Sequence, residues 1–188
     1  MKSIIKKVLK SIRACLWAIH AILWCAFHGV KYKKGVYIGR HVVKKRRVKL
    51  ILSEYSRISY NVLFWGDGTV KIGKHTNIGS NSRIFASHNG GVEIGDYTMS
   101  ASHLYIIDCD HGIKKGELIQ KQPMTQAAVH IGSDVWFGYN VTVLKGVTLA
   151  DGCVCAACSC VTKSFEENSV VGGVPAKLIK YRENRDEA

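Results

Sequence analysis

Bulky apolar residues recur at every sixth position between residues 131 and 161, and this period constrains the fold more than any other feature of the chain. The positions are Ile131, Phe137, Val143, Leu149, Cys155 and Val161. Four residues after each of the first five lies a smaller residue: Val135, Val141, Val147, Cys153 and Ser159. Neither the 3.6-residue period of a helix nor the two-residue period of a strand produces this pattern.

A six-residue period predicts short flat strands joined by tight corners, with one bulky and one small side chain of each unit pointing inward. Such a chain is an all-β solenoid, a parallel β-helix, in which each coil buries its inner face by stacking on the next. The spacing also appears upstream, at Ile72, Ile78 and Ile84 and, after a reset at Gly90-Gly91, at Ile94, Ser100 and Ile106. Weaker examples at Leu52, Ile58 and Phe64 place the start of the stack near residue 50.

The repeat stops between Ile106 and Ile131, where residues 107–129 read IDCDHGIKKGELIQKQPMTQAAV. A long polar excursion inside a regular solenoid is more often functional than a tolerated insertion. This one carries a histidine, His111, close to two carboxylates. We therefore expect the excursion to hold the chemistry of the protein.

The formal net charge of +13 is concentrated near the N-terminus. Before Glu54 the chain has fourteen lysines and arginines and no acidic residue, which leaves thirteen bases and fourteen acids in the remainder. The solenoid is thus nearly neutral, and the basicity belongs to the first fifty residues. No recognisable nucleic-acid motif accompanies these bases, so nucleic acid is not expected as a partner.

The first thirty residues predict an amphipathic helix. Apolar residues recur at spacings of three and four, namely Ile5, Leu9, Ile12, Leu16, Ile19 and Leu23. Residues 14–30 carry no formal charge, a run shorter than the ~20 apolar residues that span a bilayer. Lysines on another face and the interleaved Trp17 and Trp24 indicate peripheral contact with an anionic membrane through residues 1–30. Packing of the same stripe against the solenoid or across an oligomer remains an open alternative.

Four of the seven cysteines, Cys153, Cys155, Cys158 and Cys160, have a spacing that resembles that of zinc ligands. In the six-residue register, however, Cys155 takes a bulky inward position and Cys153 a small one, where thiols pack as small apolar groups. Flat strands with fixed faces keep the four sulfur atoms from converging, so no metal is expected. Free thiols in this number suit a reducing cytoplasm. We expect a cytoplasmic protein, peripheral on the inner face of the cytoplasmic membrane.

The chain resembles the hexapeptide-repeat acyltransferases in an ordered set of features. These are the hexads, the DCDHG of the excursion, and the later VWFGYNVTVLKGV, SCVTKS and VVGGVPAKLIK. Over roughly residues 70–180 the chain is similar to maltose and galactoside O-acetyltransferases and to the O-acetyltransferases of surface-polysaccharide biosynthesis. The resemblance implies a left-handed parallel β-helix and a homotrimer with active sites between neighbouring solenoids. It also implies acetyl-CoA as acyl donor, a saccharide acceptor and no metal.

The resemblance assigns the catalytic histidine to His111. A neutral imidazole can take the proton of a sugar hydroxyl as the oxygen attacks a thioester. Either Asp108 or Asp110 would then orient the ring and stabilise the imidazolium. The sequence does not decide between the two carboxylates.

The resemblance also implies donor-binding residues: Trp136, Gly138, Tyr139, Ala157, Thr162, Lys163, Lys177 and Lys180. Trp136 is the aromatic residue expected next to the active site. Gly138 and Tyr139 lie at a strand edge whose backbone N–H would face the thioester oxygen and stabilise an oxyanion. Ala157, Thr162 and Lys163 match positions that hold pantetheine and adenosine. The last two lysines match basic positions that meet the phosphates of CoA.

The leading hypothesis is therefore transfer of an acetyl group from acetyl-CoA to a hydroxyl of a surface-polysaccharide or lipid-linked saccharide precursor. N-acetylation of an amino sugar is an alternative, as is a non-catalytic β-helix that binds or scaffolds. A zinc-dependent carbonic anhydrase would need a pair of histidines five residues apart, whereas His103 and His111 lie eight apart.

The expected organisation has three parts. Residues 1–49 form a basic amphipathic N-terminal segment. Residues 50–176 form the β-helix domain, with the catalytic loop at 107–129. Residues 177–188 form a short amphipathic helix that caps the last coil.

Overall fold

The computed structural model describes residues 2–184 of the chain and shows a left-handed parallel β-helix of about seven coils preceded by one helix, α1 (Lys2–Phe27). Each coil has three short strands. The first four coils contain β1 (Lys31–Tyr32), β2 (Tyr37–Ile38) and β3 (Val43–Lys44); β4 (Lys49–Leu52), β5 (Arg57–Ile58) and β6 (Leu63–Gly66); β7 (Thr69–Ile72), β8 (Asn77–Ile78) and β9 (Arg83–Ala86); β10 (Val92–Ile94), β11 (Met99–Ser100) and β12 (Tyr105–Ile107).

An excursion separates the fourth coil from the fifth and contains β13 (Cys109–Asp110), a 3-10 helix (Ile119–Lys121) and β14 (Thr125–Gln126). The later coils contain β15 (Val129–Ile131), β16 (Trp136–Phe137) and β17 (Thr142–Val143); β18 (Thr148–Leu149), β19 (Val154–Cys155) and β20 (Cys160–Val161); and β21 (Ser169–Gly173), which is followed by β22 (Ala176–Tyr181). Successive coils pair in parallel to form three sheets. Sheets A, B and C contain the first, second and third strands of the coils, respectively.

The predicted inward positions are confirmed. Every bulky hexad residue from Ile131 to Val161 is at most 3% exposed, and the small partners from Val135 to Ser159 are also buried. The weaker upstream hexads behave in the same way, since Leu52, Ile58 and Phe64 are fully enclosed. One buried side chain from each face of the prism, in most cases aliphatic or aromatic, therefore fills the interior of the coils from the second onward.

All variation in coil length falls at one of the three corners. In the first six coils, the A-to-B and B-to-C connections are four residues each. The C-to-A connections range from the two residues 67–68 to the excursion after Ile107. We call this edge of the prism the CA corner. Three departures from the four-residue connection are therefore stacked on this edge. They are the short connection at residues 67–68, the connection at residues 87–91, which we call the slip, and the excursion.

The glycines that follow inward aliphatic residues are required because the backbone of the next coil passes close to them, and not because of unusual backbone angles. A Cβ on Gly73 would lie 2.4 Å from the backbone of Gly95 in the next coil, and a Cβ on Gly79 would lie 2.0 Å from the carbonyl oxygen of Ala101. The positive φ angles fall two residues later, for example at His75 (54°) and Asn81 (59°). Close stacking of the coils thus excludes a side chain at these glycines.

The solenoid begins at residue 31, which corrects the expected boundary near residue 50. The first coil keeps the six-residue spacing, but its inward register positions hold Tyr32, Ile38 and Lys44. Only Ile38 among the three is fully buried. The first coil has a neighbouring coil on one side only, so two of its inward positions tolerate polar residues. The apolar six-residue pattern is therefore not visible in the sequence of this coil.

Helix α1 covers this end of the prism. Ala21 and Cys25 are buried in the same core as the solenoid aliphatics, and the indole N–H of Trp24 donates to the Val42 carbonyl at 3.3 Å. The ring of Trp17 lies 5.0 Å from that of Tyr37. Among the described residues, no helix is long and apolar enough to span a membrane.

The expected C-terminal capping helix is wrong for the part that is described. Residues 176–181 form β22, which pairs antiparallel with β21. The last coil ends in a strand whose outer N–H and C=O groups need partners, and a returning strand supplies them whereas a helix does not. Residues 185–188 of the predicted helix lie outside the described residues.

Candidate active site

The excursion at the CA corner is an ordered hairpin. Its two short strands, β13 and β14, pair antiparallel through Cys109 with Gln126 and Asp110 with Thr125. At its base the N–H of Ala127 donates to the Asp108 carbonyl at 2.9 Å. At its tip the buried side chain of Gln122 donates to the carbonyls of Lys114 and Glu117 and accepts from the N–H of Lys114 at 2.7 Å. A single amide side chain therefore fixes the turn that closes the loop.

Asp108 anchors the loop from inside the prism. It occupies the inward position after Ile106 and is fully buried. Its carboxylate accepts hydrogen bonds from the Ser87 N–H (2.8 Å), the Ser87 hydroxyl (3.0 Å) and the Gly91 N–H (2.5 Å). Within residues 2–184, no hydrogen bond or ion pair joins Asp108 to His111. These contacts give Asp108 a structural role at residues 87–91, and which of Asp108 and Asp110 orients His111 stays a prediction.

His111 lies at the surface in a cleft of about 730 Å³. The cleft is also lined by Asp110, Gly112, Ile113, Lys114, Glu117, Gln122, Pro123, Thr125 and Lys145. Lys145, from the CA corner of the next coil, approaches the Asp110 carboxylate at 3.6 Å. The imidazole is thus accessible to a ligand and has a carboxylate and an ammonium group in the same cleft.

Cys109, two residues before His111, is not suited to nucleophilic chemistry. It is 1% exposed, and burial raises the pKa of its thiol to about 11, with the nearby Asp108, Asp110 and Asp67 carboxylates adding to the rise. The thiol is therefore protonated near neutral pH. His111, unlike Cys109, is exposed in the cleft.

The expected donor-binding residues divide between two regions of the prism. Thr162 and Lys163 lie at the CA corner one coil beyond Lys145. Trp136, on the outer face of sheet B, is 52% exposed. Tyr139 and Ala157 lie at the B-to-C corner.

The remaining predicted residues lie in sheet B or extend from it. Lys177 and Lys180 are exposed on β22, and Lys180 pairs with Glu183. The N–H of Gly138 donates to the Cys155 carbonyl at 2.8 Å, so it is already used in the strand ladder. That a backbone N–H at the edge formed by Gly138 and Tyr139 faces a thioester oxygen stays a prediction.

Three residues of this region were missed in the sequence. Lys145 gives no signal there because a lysine at a coil corner is ordinary. Gln122 is one polar residue among many in the loop. Ser87 follows a regular strand, and only its three-dimensional proximity to Asp108 gives it a role.

No group of three or more His, Cys, Asp or Glu side chains placed to hold a metal ion occurs within residues 2–184. Cys153 and Cys155 are buried in the inward positions predicted for them, whereas Cys158 is exposed. Four converging thiolates are therefore not formed by these cysteines.

Comparison with known proteins agrees with this architecture. The family model described as the hexapeptide repeat of succinyl-transferase matches residues 69–97 and 128–163, the two stretches that flank the loop. The chain is therefore a left-handed β-helix built from hexapeptide repeats, and it is similar to O-acetyltransferases that carry such repeats.

Two relatives from Escherichia coli (strain K12) and one solved structure illustrate the similarity. WbbJ, named for O-acetyl transfer in lipopolysaccharide biosynthesis, is 38% identical over 112 residues, which cover 55% of this chain and 57% of that protein. Galactoside O-acetyltransferase is 29% identical over 148 residues, or 76% and 71% of the two chains. The Bacillus cereus N-acyltransferase AntD, solved with dTDP and 3-hydroxybutyryl-CoA, superposes with a TM-score of 0.65 at 19% identity, over 78% of this chain and 82% of that chain. The chain thus spans little more than half of WbbJ.

Proposed function

We propose that the protein is an acetyl-CoA-dependent O-acetyltransferase that modifies a hydroxyl of a saccharide. The observation that carries the proposal is the position of His111, exposed in a cleft on a loop pinned at its base and tip. Relatives named as O-acetyltransferases, together with a fold neighbour that binds an acyl-CoA, support the reaction class.

In the proposed reaction the neutral imidazole of His111 accepts the proton of the acceptor hydroxyl. The oxygen attacks the thioester carbonyl carbon, a new C–O bond forms, and the C–S bond breaks as the thiolate of CoA leaves. The proton held by the imidazolium passes to this thiolate, so the products are the acetyl ester and free CoA. The Asp110 carboxylate stabilises the imidazolium through its negative charge, and this proposal assigns Asp110 rather than Asp108 to that role.

The CA corner offers a path for the donor. Lys145, Thr162 and Lys163 follow one another on this edge beyond the loop, with coils separated by about 4.8 Å. An extended pantetheine chain placed along the edge would bring its phosphates to lysine ammonium groups. Lys177 and Lys180 lie on β22 in sheet B, away from this corner, and Lys180 is paired with Glu183.

Trp136, Tyr139 and Ala157 lie at a different edge of the prism from His111. A site containing all of them requires a second chain, which is the reason to include a homotrimer in the proposal. The outer face of sheet C supports a subunit contact, because Trp65, Phe85 and Tyr105 form a half-buried aromatic group on it. A cluster of partly exposed aromatic rings is typical of protein interfaces.

For the acceptor, the similarity to WbbJ favours a surface-polysaccharide or lipid-linked precursor over a free sugar. Peripheral contact with a membrane through residues 1–30 belongs to the same proposal. The likeness to AntD favours an amine acceptor as the second candidate. An amine attacks the thioester by the same route, and a panel with hydroxyl and amino sugars distinguishes the two products.

The test measures thiol release from acetyl-CoA in the presence of acceptor sugars, with identification of the product bond by mass spectrometry. The His111→Ala variant should lose about 10²- to 10⁴-fold in turnover. His130→Ala, which removes an exposed histidine on β15, is the control and should retain activity. Equal turnover by His111→Ala and wild type would refute the assignment, and absence of turnover with every acceptor would favour a non-catalytic β-helix.

A further inference from the structure

Helix α1 has two apolar faces, and the solenoid uses only one of them. The face with Ala21, Cys25 and the half-buried Trp17 and Trp24 packs on the first coil. The other face presents large apolar side chains, each at least 50% exposed: Val8, Leu9, Ile12, Leu16, Ile19, Ile22, Leu23 and Phe27. We call these eight residues the α1 stripe. It runs for about 28 Å along the helix and contains no charged residue.

The tryptophans therefore do not provide the exposed face that the sequence pattern associates with a membrane interface. Trp17 packs on Tyr37, and Trp24 hydrogen-bonds to Val42. Leucine, isoleucine and phenylalanine provide the free surface instead. A contiguous apolar surface of this size is unfavourable when it is exposed to solvent, unless another surface covers it.

The first coil, on which α1 packs, is rich in cations. Nine lysines and arginines lie between residues 31 and 49, and all three corners of the coil carry some of them. Lys33 and Lys34 are at the A-to-B corner, Arg40 is at the B-to-C corner, and residues 45–47 form the basic run at the CA corner. In the described part of the chain none of the nine takes part in a salt bridge, and no acidic residue precedes Glu54.

The helix lies across the open end of the prism. It contacts Tyr37, in the first strand of sheet B, through Trp17, and Val42, at the B-to-C corner, through Trp24. With that face of α1 turned to the coil, the α1 stripe on the opposite face points away from the solenoid. The α1 stripe and the cations of the first coil thus lie at the same end of the solenoid.

We propose that this end surface docks on an anionic lipid bilayer, with the α1 stripe inserted among the headgroups and the cations of the first coil on the acidic lipids. An apolar helix face bordered by basic residues gains both apolar burial and electrostatic attraction there. A second copy of the chain would bring the same uncompensated positive charges together and so fits this surface less well.

End-on docking deepens the proposed function, on which this step rests. The loop with His111 joins the fourth coil to the fifth, three to four coil spacings from the first, or about 14–19 Å. Because α1 lies between the first coil and the bilayer, an acceptor anchored in the same bilayer must present its hydroxyl at least that far above the headgroups. A saccharide carried on a lipid through an extended linkage meets this condition, whereas a hydroxyl at the headgroup level does not.

The experiment is co-sedimentation of the full-length protein with sucrose-loaded vesicles of phosphatidylcholine containing 30% phosphatidylglycerol, or of phosphatidylcholine alone. Wild type should bind the anionic vesicles at least tenfold more strongly, and 0.5 M NaCl should weaken that binding. The Leu16→Glu/Leu23→Glu variant should lose at least tenfold in binding. Ile179→Glu/Tyr181→Glu places the same charge change at the opposite end of the solenoid and should bind as wild type does.

Two outcomes overturn the proposal: binding by Leu16→Glu/Leu23→Glu equal to wild type, or no binding by wild type. In the second case, a change of oligomeric state in that variant would assign the α1 stripe to a contact between copies of the chain. Circular dichroism verifies that each variant is folded. Failure of the proposed function is separate, because turnover of a soluble acceptor tests His111 without a membrane. If docking is right, Leu16→Glu/Leu23→Glu keeps that turnover and loses turnover of an acceptor embedded in vesicles.

Discussion

Asp108 and Ser87 are 21 residues apart in the chain, yet the buried Asp108 carboxylate accepts hydrogen bonds from both the N–H and the hydroxyl of Ser87. The contact joins the start of the long loop to the slip in the coil before it. Two departures from the repeat therefore form one unit. A second contact, from the Asn89 N–H to the Gln126 side chain at 2.9 Å, connects the other strand of the hairpin to the same slip.

Asp108→Asn should lower the free energy of unfolding by about 3 kcal/mol, because the new amide group cannot accept all the hydrogen bonds that the charged carboxylate receives. Urea unfolding followed by circular dichroism measures the change. Asp110→Asn, at a 51% exposed carboxylate, should cost less than about 1 kcal/mol. Equal losses in the two variants would show that Asp108 does not anchor the loop.

Gly90→Ala tests the same contact from the slip. A Cβ at Gly90 would lie 2.3 Å from an Asp108 carboxylate oxygen and 2.7 Å from the Ser87 hydroxyl. We expect a loss of about 1–3 kcal/mol in unfolding free energy from overpacking. Gly116→Ala is the control, since no atom lies within 4 Å and the cost should be confined to its positive φ of 89°. A larger loss at Gly116 would contradict the close approach at Gly90.

Lys145→Met should raise the KM for acetyl-CoA about fivefold, equivalent to about 1 kcal/mol for a partly exposed charge, while leaving stability nearly unchanged. The matched control is Lys71→Met, which removes a lysine paired with Glu93 at 3.4 Å on sheet A. Steady-state kinetics at saturating acceptor provide the measurement. If both variants have the KM of wild type, Lys145 is not part of the donor path.

The buried cysteines should resist alkylation. Burial raises the pKa of the Cys25 thiol to about 11 and that of the Cys155 thiol to about 12, so at pH 8 both are protonated and unreactive. Iodoacetamide followed by mass spectrometry should label the exposed Cys15 and Cys158 first. Labelling of all seven at one rate in the folded protein, as expected in 8 M urea, would contradict this burial.

The same shifts predict a loss of stability in alkali. The folded-state pKa values lie above the ~8.5 of an unfolded cysteine, so the folded protein binds more protons than the unfolded chain between these values. Stability from this source is complete below about pH 8.5 and falls as pH rises toward 11. Urea titrations at pH 8 and pH 10 measure it, and a midpoint that does not decrease would refute the prediction.

The hexads allowed the β-helix, its inward residues and the position of the long loop to be predicted, because each is a local consequence of a repeated unit. The first coil could not be predicted in the same way. Tyr32 and Lys44 occupy inward register positions that are only partly enclosed, so the apolar signal is missing there. The terminal strand β22 was also missed, because its pairing with β21 depends on an open sheet edge rather than on its own pattern.

At the candidate site, the sequence proposes His111, which the structure places in a cleft, but it could not choose between Asp108 and Asp110. The side chains differ in direction, since the first follows the inward register of sheet C and the second continues into an exposed hairpin. The sequence also gave no signal for Lys145, whose position beside Asp110 follows from the stacking of one coil on another.

By itself the sequence determined the repeat, the residues that fill the prism and the place where the chain leaves it, since inward packing in sixes is encoded residue by residue. Tertiary structure alone decided which departures from the repeat share the CA corner, which carboxylate is buried, and which face of α1 stays free. Each of those outcomes depends on contacts between residues distant in the chain, and it is the stacking of coils that creates such contacts.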